Sequence, residues 1–291
     1  MSSYQLIEAE RTRFPVQLMC RMLGVSRSGY YDWKDRPPSN RSRENAALTG
    51  KIREIHRSSR ETYGSPRVHA ELRALGMRCS GKRVERLMRQ AGLRGCMRRH
   101  RRGTTRRGKR APAEDLLNRA FAAATMDKVW VADITYVVTA EGFLYLAFIL
   151  DVYSRRIVGW AMEPHLRTEL VVDALRMAVC RRKLAPGLVH HSDQGAQYTS
   201  LSFSERLSEV GITPSMGRTG SALDNAMAES FVSTLKAELV SKMEFPTRQA
   251  AKTAIFEYLE TFYNTRRLHS ALGYKSPADF EEDRIGEANV A

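Results

Sequence analysis

Three apolar runs rich in Val, Ile, Leu and Tyr follow one another at 129–138, 143–151 and 157–162. Glu141-Gly142 supplies turn residues between the first two, so the runs read as successive antiparallel strands. Past them the period changes. A helical stretch at 168–182 comes first, then a short strand run from Leu188 to His190 that leads to Asp193. A helix near 200–210, a short strand near 212–215 and two strongly helical stretches at 224–241 and 247–264 complete the series. Three strands followed by alternating helices and strands confine residues 125–245 to an α/β domain, with a helical tail over 246–291.

The front of the chain is helical and basic. Residues 1–112 hold 28 Lys and Arg against 9 Asp and Glu, a net of +19, while 113–291 hold 19 against 23, a net of −4. A basic front joined to a mildly acidic body reads as a nucleic-acid grip on a catalytic domain. Two units carry helix-turn-helix grammar. In 1–40, Leu18, Met22 and Leu23 form a stripe, Gly24 can end the helix, and Ser26 can cap a second helix with Tyr30, Tyr31 and Trp33. In 41–96, Leu48, Ile52 and Ile55 form one stripe and Val68, Leu72 and Leu75 another that stops at Gly76. Ser80 then caps a helix with Val84, Leu87 and Met88 inside and Lys82, Arg83, Arg86 and Arg89 outside. Its front end is the expected base-reading end.

Residues 97–124 form a basic linker without periodicity. Eight basic residues, Arg98, Arg99, Arg101 and Arg102 among them, lie between Arg98 and Arg110 with no acid. Beside a duplex such a run lies along the phosphates and releases counterions.

Several classes are excluded. No run of about 18 apolar residues exists, so no membrane span is expected. The start, M-S-S-Y-Q-L-I-E-A-E, lacks a basic-then-apolar leader. Cys20, Cys79, Cys96 and Cys180 are scattered and form no C-x-x-C pair, as expected of a reducing cytosol. The expected location is therefore cytoplasmic and, given the charge, nucleoid-associated.

Three words carry the chemistry: W-V-A-D-I-T-Y, H-S-D-Q-G-A-Q-Y and D-N-A-M-A-E-S-F. They place Asp133 within the first strand, Asp193 at the end of the later strand and Glu229 on a helix. Three carboxylates on separate elements suit two Mg²⁺ ions about 3.5–4 Å apart on a phosphodiester. Asn225, four residues before Glu229, and Lys236, seven after, share its helix face and suit DNA contact beside the scissile bond. Asp224, five residues before, is turned away and rejected as third ligand. Asp151 reads as a strand-end residue rather than a fourth acid near the site, and His190 and His191 as structural or orienting rather than as metal ligands. The tail residues Tyr263, Asn264, Arg266, Arg267 and His269 suit DNA, a neighbouring subunit or packing on the core equally well. With 23 acids in this half, a bare triple means little, and its weight comes from the flanking words.

Those words, with C-R-M-L-G-V-S-R-S-G-Y-Y, Y-G-S-P-R-V, L-D-V-Y-S-R-R-I-V-G-W and Y-N-T-R-R-L-H-S-A-L-G-Y-K-S-P, run through nearly the whole chain. In this order they resemble the second-frame catalytic protein of bacterial insertion-sequence transposases, which is fused by frameshift to a first reading frame. The resemblance implies an α/β, ribonuclease-H-like integrase core behind small helix-turn-helix domains, which is also the order of elements read above. It puts Asp133, Asp193 and Glu229 at the catalytic, metal-binding triad, with Mn²⁺ able to replace Mg²⁺, and Lys236 at a downstream basic position. Retroviral integrases are more distant relatives, and their His-His-Cys-Cys zinc module has no counterpart here.

The reaction so implied needs no covalent protein intermediate. Water frees a 3′-OH at a transposon end, and that hydroxyl attacks another phosphodiester, typically joining one end to the other on the same strand. The implied partners are double-stranded DNA (transposon ends and target), a second copy or more on DNA, and the first-frame protein or fused segment. Rival readings are a catalytically silent DNA-binding regulator of transposition, a nuclease of RNA–DNA hybrids, and a tyrosine or serine recombinase.

Overall fold

The computed structural model describes residues 2–96, 123–184, 186–217 and 226–290 of the 291-residue chain. The chain divides into two compact units, 1–52 and 53–291, with the division inside one long helix.

In the first unit, α1 (Ser3–Glu10), α2 (Val16–Met22) and α3 (Arg27–Asp35) lead into α4 (Asn40–Ser58). Gly24 has φ +66, and Ser26 Oγ accepts from Gly29 N at 3.0 Å, so α2 and α3 follow the expected turn and cap. The expected stripe fails. Leu18, Met22 and Leu23 are exposed, and the unit is centred instead on Ile7, Cys20 and Tyr30, backed by Val16 and Met19. The cause is α1, which packs on α2 and α3 and turns the Cys20 side of α2 inward. A capping box starts α1: Ser2 Oγ accepts from Gln5 N, and Gln5 Oε1 accepts from Ser2 N.

In the second unit, the end of α4 leads to α5 (Ser65–Ala74) and α6 (Gly81–Gln90). Val68, Leu72, Val84, Leu87 and Met88 are buried, whereas Leu75 is exposed because it already lies past the end of α5. Gly76 has φ +76, and Ser80 Oγ accepts from Arg83 N at 3.2 Å. This helical pair is tied to the tail. The Tyr63 hydroxyl donates to Arg266 O at 3.1 Å and accepts from Leu268 N at 2.8 Å, while Arg67 Nε donates to Leu268 O at 2.8 Å.

The remaining elements build the α/β domain. Strands β1 (Val129–Thr139), β2 (Gly142–Asp151) and β3 (Ile157–Glu163) form an antiparallel meander. Then come α7 (Thr168–Arg181), β4 (Val189–Ser192), α8 (Leu201–Glu209), β5 (Thr213–Met216) and α9 (Ala226–Glu238). The sheet order is β3-β2-β1-β4-β5, with β4 parallel to both β1 and β5. One face, with Trp130, Ala132, Ile149 and Val158, is covered by Leu175 of α7 and Phe203 of α8. Gly159 lets α7 sit directly on β3: a Cβ there would lie 2.2 Å from Ala174 O. By strand alternation Phe148 points to the other face, where it meets Phe231 of α9 at 4.5 Å between ring centroids.

Two helical ends differ from the sequence expectation. Helix α9 stops at Glu238 because Leu239 leaves helical geometry (φ −123), and a 3₁₀ turn, Val240–Lys242, follows. Helix α10 (Arg248–Glu257) widens into a π-helical turn at Tyr258–Tyr263, which brings Tyr258, Leu259, Phe262 and Tyr263 all into the interior.

The tail packs back on the core. Asn264 mimics a strand at the edge of β3, accepting from Ile157 N at 2.9 Å and donating to Ile157 O at 3.0 Å. Arg267 is buried against Glu238, and Arg266 stays exposed. The final helix, α11 (Pro277–Val290), is anchored by Glu281, which accepts from Arg182 and Arg156.

Candidate active site

The β1–β4 ladder is short. It pairs Val129, Trp130 and Val131 with Val189, His190 and His191, and β4 ends at Ser192. Two residues further along the same register stand Asp133 and Asp193. Both acids therefore leave the ladder at one end, beyond the pairing of two parallel strands. Ligands of α/β sheets bind at such carboxyl ends.

Each acid is held by its own backbone. Asp133 Oδ1 accepts from Ile134 N at 2.7 Å, and Asp193 Oδ1 accepts from Gly195 N at 3.1 Å, an Asx turn. A Cβ on residue 195 would lie 3.0 Å from Asp193 Oδ1, so glycine leaves that carboxylate its position.

The third acid comes from α9. Met227, Ala228, Phe231, Thr234, Leu235 and Glu238 form its buried face, and Glu229 stands exposed beside them. Lys236 follows seven residues later, and its Nζ lies 5.2 Å from the centroid of the Tyr136 ring on β1.

Electrostatics link these groups. Burial raises the Asp133 carboxyl from 3.8 to about 7; the Asp193 charge adds to this, as does Glu229, against the Ile134 N–H and Lys236. Burial also raises Asp193 and Glu229. Acids that resist ionisation together suit a bound cation, which favours their charged forms. Among the described residues, no three His, Cys, Asp or Glu side chains are grouped to hold one ion jointly. The charges of Asp193 and Glu229 both bear on Asp133, and Mg²⁺, which keeps several waters, needs few carboxylates.

The neighbouring residues have structural work. His191 Nδ1 bonds Ser215 Oγ at 2.9 Å. His190 is buried, and burial followed by the neighbouring His191 lowers its pKa to about 4. Asp151 is fully buried and organises the β2–β3 turn, accepting from Ser154 N and Oγ at 2.8 Å and from Asp127 N at 2.9 Å.

On α6, Lys82 and Arg86 are exposed, Arg83 is half-buried, and Arg89 pairs with Glu85 at 2.8 Å. Asn225, Asp224, Arg98, Arg99, Arg101 and Arg102 lie outside the described residues. Residue-by-residue reading of the sequence passed over Gly195 and Tyr198, although both lie in the word H-S-D-Q-G-A-Q-Y.

Comparison with known proteins agrees with this architecture. The Integrase core domain family matches residues 123–222, a second family of the same description matches 210–277, and the HTH-like domain family matches 42–101. The transposase for insertion sequence element IS904 of Lactococcus lactis is 42% identical, covering 85% of this chain and 98% of its own. Transposase InsF for insertion sequence IS3A of Escherichia coli is 36% identical, covering 97% and 99%. An IS600 protein of Shigella sonnei, described as an uncharacterized 31 kDa protein, is 44% identical, covering 91% and 97%. Among solved structures, the BIV integrase catalytic core domain aligns at 16% identity and a TM-score of 0.41, over 56% of this chain and 99% of that one. With an HTH-like unit ahead of an integrase core, and transposases matched along almost their whole length, the chain belongs to the bacterial insertion-sequence transposases.

Proposed function

We propose that this transposase binds the terminal inverted repeats of its insertion sequence, cleaves a strand to free a 3′-OH, and transfers that strand to a second phosphodiester. The observation that carries the reading is that Asp133 and Asp193 each follow the β1–β4 ladder by two residues, while Glu229 stands on α9, whose Phe231 packs on Phe148, the partner of Asp133 across β1 and β2.

Two Mg²⁺ ions, or Mn²⁺ in their place, would supply Lewis acidity that activates the attacking oxygen and stabilises the leaving 3′ oxygen. Asp133, Asp193 and Glu229 would hold these ions. In the first step a water oxygen forms the new P–O bond and the 3′ oxygen leaves. In the second, the freed 3′-OH attacks and another 3′ oxygen leaves. Lys236, and Asn225 on the same face in sequence, would hold the adjoining phosphates.

Recognition belongs to the basic front. Lys82 and Arg83 lie in the first turn of α6 and Arg86 about one turn further on, which suits the major groove and its phosphates. Arg98, Arg99, Arg101 and Arg102 would follow the backbone. Both ends must be held together, so at least two copies act on DNA, with the first-frame product as a further partner.

The test is incubation with duplexes ending in the element's own repeats, with Mg²⁺ and with the first-frame product present. Nicks with 3′-OH ends and strand-joined products are expected. A covalent protein–DNA adduct, or intact DNA, overturns the reading.

A further inference from the structure

The core beneath α7 and α8 reaches along the sheet only as far as Ile134 and Tyr145. Past them, the same face of the β1–β2 hairpin carries Tyr136, Val138 and Phe143, which are 51%, 63% and 49% exposed. Strand alternation puts Thr135, Val137 and Thr139 on the opposite face, where they are buried. The exposed rings form a row. Tyr136 meets Phe143 edge-on at 5.1 Å between centroids, and Phe143 is tilted against Tyr145 at 6.2 Å. Large apolar side chains gathered at the surface commonly mark a binding face. A cation stands at each end of this row. Lys236 Nζ lies 5.2 Å from the Tyr136 ring centroid, and Arg248 Nε donates to Phe143 O at 3.1 Å.

The row adjoins the candidate active site. Tyr136 follows Asp133 by three residues of strand, a distance of about 10 Å. Pairing of β1 with β4 stops at Val131, so from Ala132 onward that edge of β1 has no strand beside it among the described residues. Helix α9 lies on the Asp133 face, where Phe231 meets Phe148, and its Lys236 reaches the Tyr136 ring round this edge. We propose that the Tyr136–Phe143 row is a stacking platform for unpaired DNA bases within about three nucleotides of the scissile phosphate, at about 3.4 Å per nucleotide along a strand, with Lys236 and Arg248 toward the adjoining phosphates. This rests on the DNA cleavage proposed above, and adds that the duplex is opened where it is cut. Rings beside cations are the chemistry that holds single strands, because every base offers a face and every nucleotide a phosphate. A second copy of this chain fits the face less well. Three half-exposed side chains offer roughly 300 Å², taking about 150–250 Å² for a whole aromatic side chain. A stable interface needs about 800 Å² per partner, and its core is depleted in lysine.

The test is equilibrium binding by the full chain, with the first-frame product present and without divalent ions, so that no strand is cut. The probes are a paired terminal-repeat duplex and the same duplex with three mismatched bases on either side of the scissile phosphate in turn, marked with 2-aminopurine. The wild type should bind one mismatched duplex about 10-fold more tightly than the paired one and quench its 2-aminopurine. Tyr136→Ala and Phe143→Ala should lose the preference and the quenching while binding the paired duplex like wild type. Tyr136→Phe and Phe143→Tyr, which keep a ring, should retain both. If the wild type binds repeat and scrambled duplexes alike, the DNA role proposed above fails and the platform falls with it. If it prefers the repeats but not the mismatches, or if the alanine variants keep the preference, the platform alone is overturned. Equal losses on paired and mismatched duplexes overturn it as well. Alanine variants that keep the preference but lose self-association put a second copy of the chain on this face instead.

Discussion

Arg267 closes on Glu238 with two hydrogen bonds, Nε to Oε2 at 2.8 Å and Nη2 to Oε1 at 2.6 Å. Both side chains are buried, and Tyr258 donates to the same carboxylate at 2.9 Å. Burial works against the guanidinium charge, but the bonds to Glu238 hold its pKa above the ordinary value. Glu238 ends the helix that carries Glu229, so this pair ties the tail to the candidate site. Arg267→Met strands a buried carboxylate and should destabilise the protein by about 3–5 kcal/mol, read as a lower urea midpoint. Adding Glu238→Met should recover most of the loss; failure to recover would assign it to packing instead.

The metal-binding role proposed for Asp133 predicts a dependence on pH. Its folded pKa of about 7 lies above the ordinary 3.8, so its contribution to stability is full below about pH 4 and is lost as pH rises through 7. Divalent ions require the charged form. Mn²⁺ affinity should fall as pH drops below 7, and binding at pH 6 should release protons, measurable by calorimetry in buffers of different ionisation enthalpy. Asp133→Asn should make the metal-free protein more stable at pH 8 and remove the proton release.

Gly195→Ala places a methyl 3.0 Å from Asp193 Oδ1 and 3.4 Å from Gln197 Oε1. The carboxylate must give way by a few tenths of an ångström. A displacement of that size in the proposed catalytic site should lower cleavage by about 10-fold or more, with melting temperature and DNA affinity little changed. A drop in stability matching the drop in activity would contradict this.

Gly159→Ala tests the scaffold. Its methyl meets Ala174 O at 2.2 Å, Ala178 Cβ at 2.8 Å and Ala178 N at 2.9 Å, mostly backbone that cannot rotate away. Overpacking of this kind costs about 1–3 kcal/mol or more. Chemical denaturation should show a loss at the upper end, and an unchanged midpoint would mean that α7 does not sit this close to β3.

The strands were legible because each run has a clear length, period and turn. The meander from Val129 to Glu163 and the order of the later elements follow directly. The acids were legible only through their flanking words, since one Asp among 23 acids carries no signal of its own. What stayed hidden depends on contacts between distant residues. The exposure of Met22 follows from α1, a helix that the Ser2–Gln5 capping box starts ahead of α2. The tail word was ambiguous because arginine serves DNA and buried carboxylates equally. Only the fold shows Arg267 inside against Glu238 and Asn264 on the edge of β3. The π-helical turn at Tyr258–Tyr263 has no periodic signature that separates it from α-helix.

The most direct measurement is single-turnover cleavage of a terminal-repeat duplex by the wild type, Asp193→Asn and Glu229→Gln, with DNA binding measured on the same preparations. Both variants should bind like wild type and lose cleavage by about 10³-fold or more, the scale at which groups stabilising a transition-state charge act. Cleavage at the wild-type rate in either variant would contradict a reaction carried by these carboxylates.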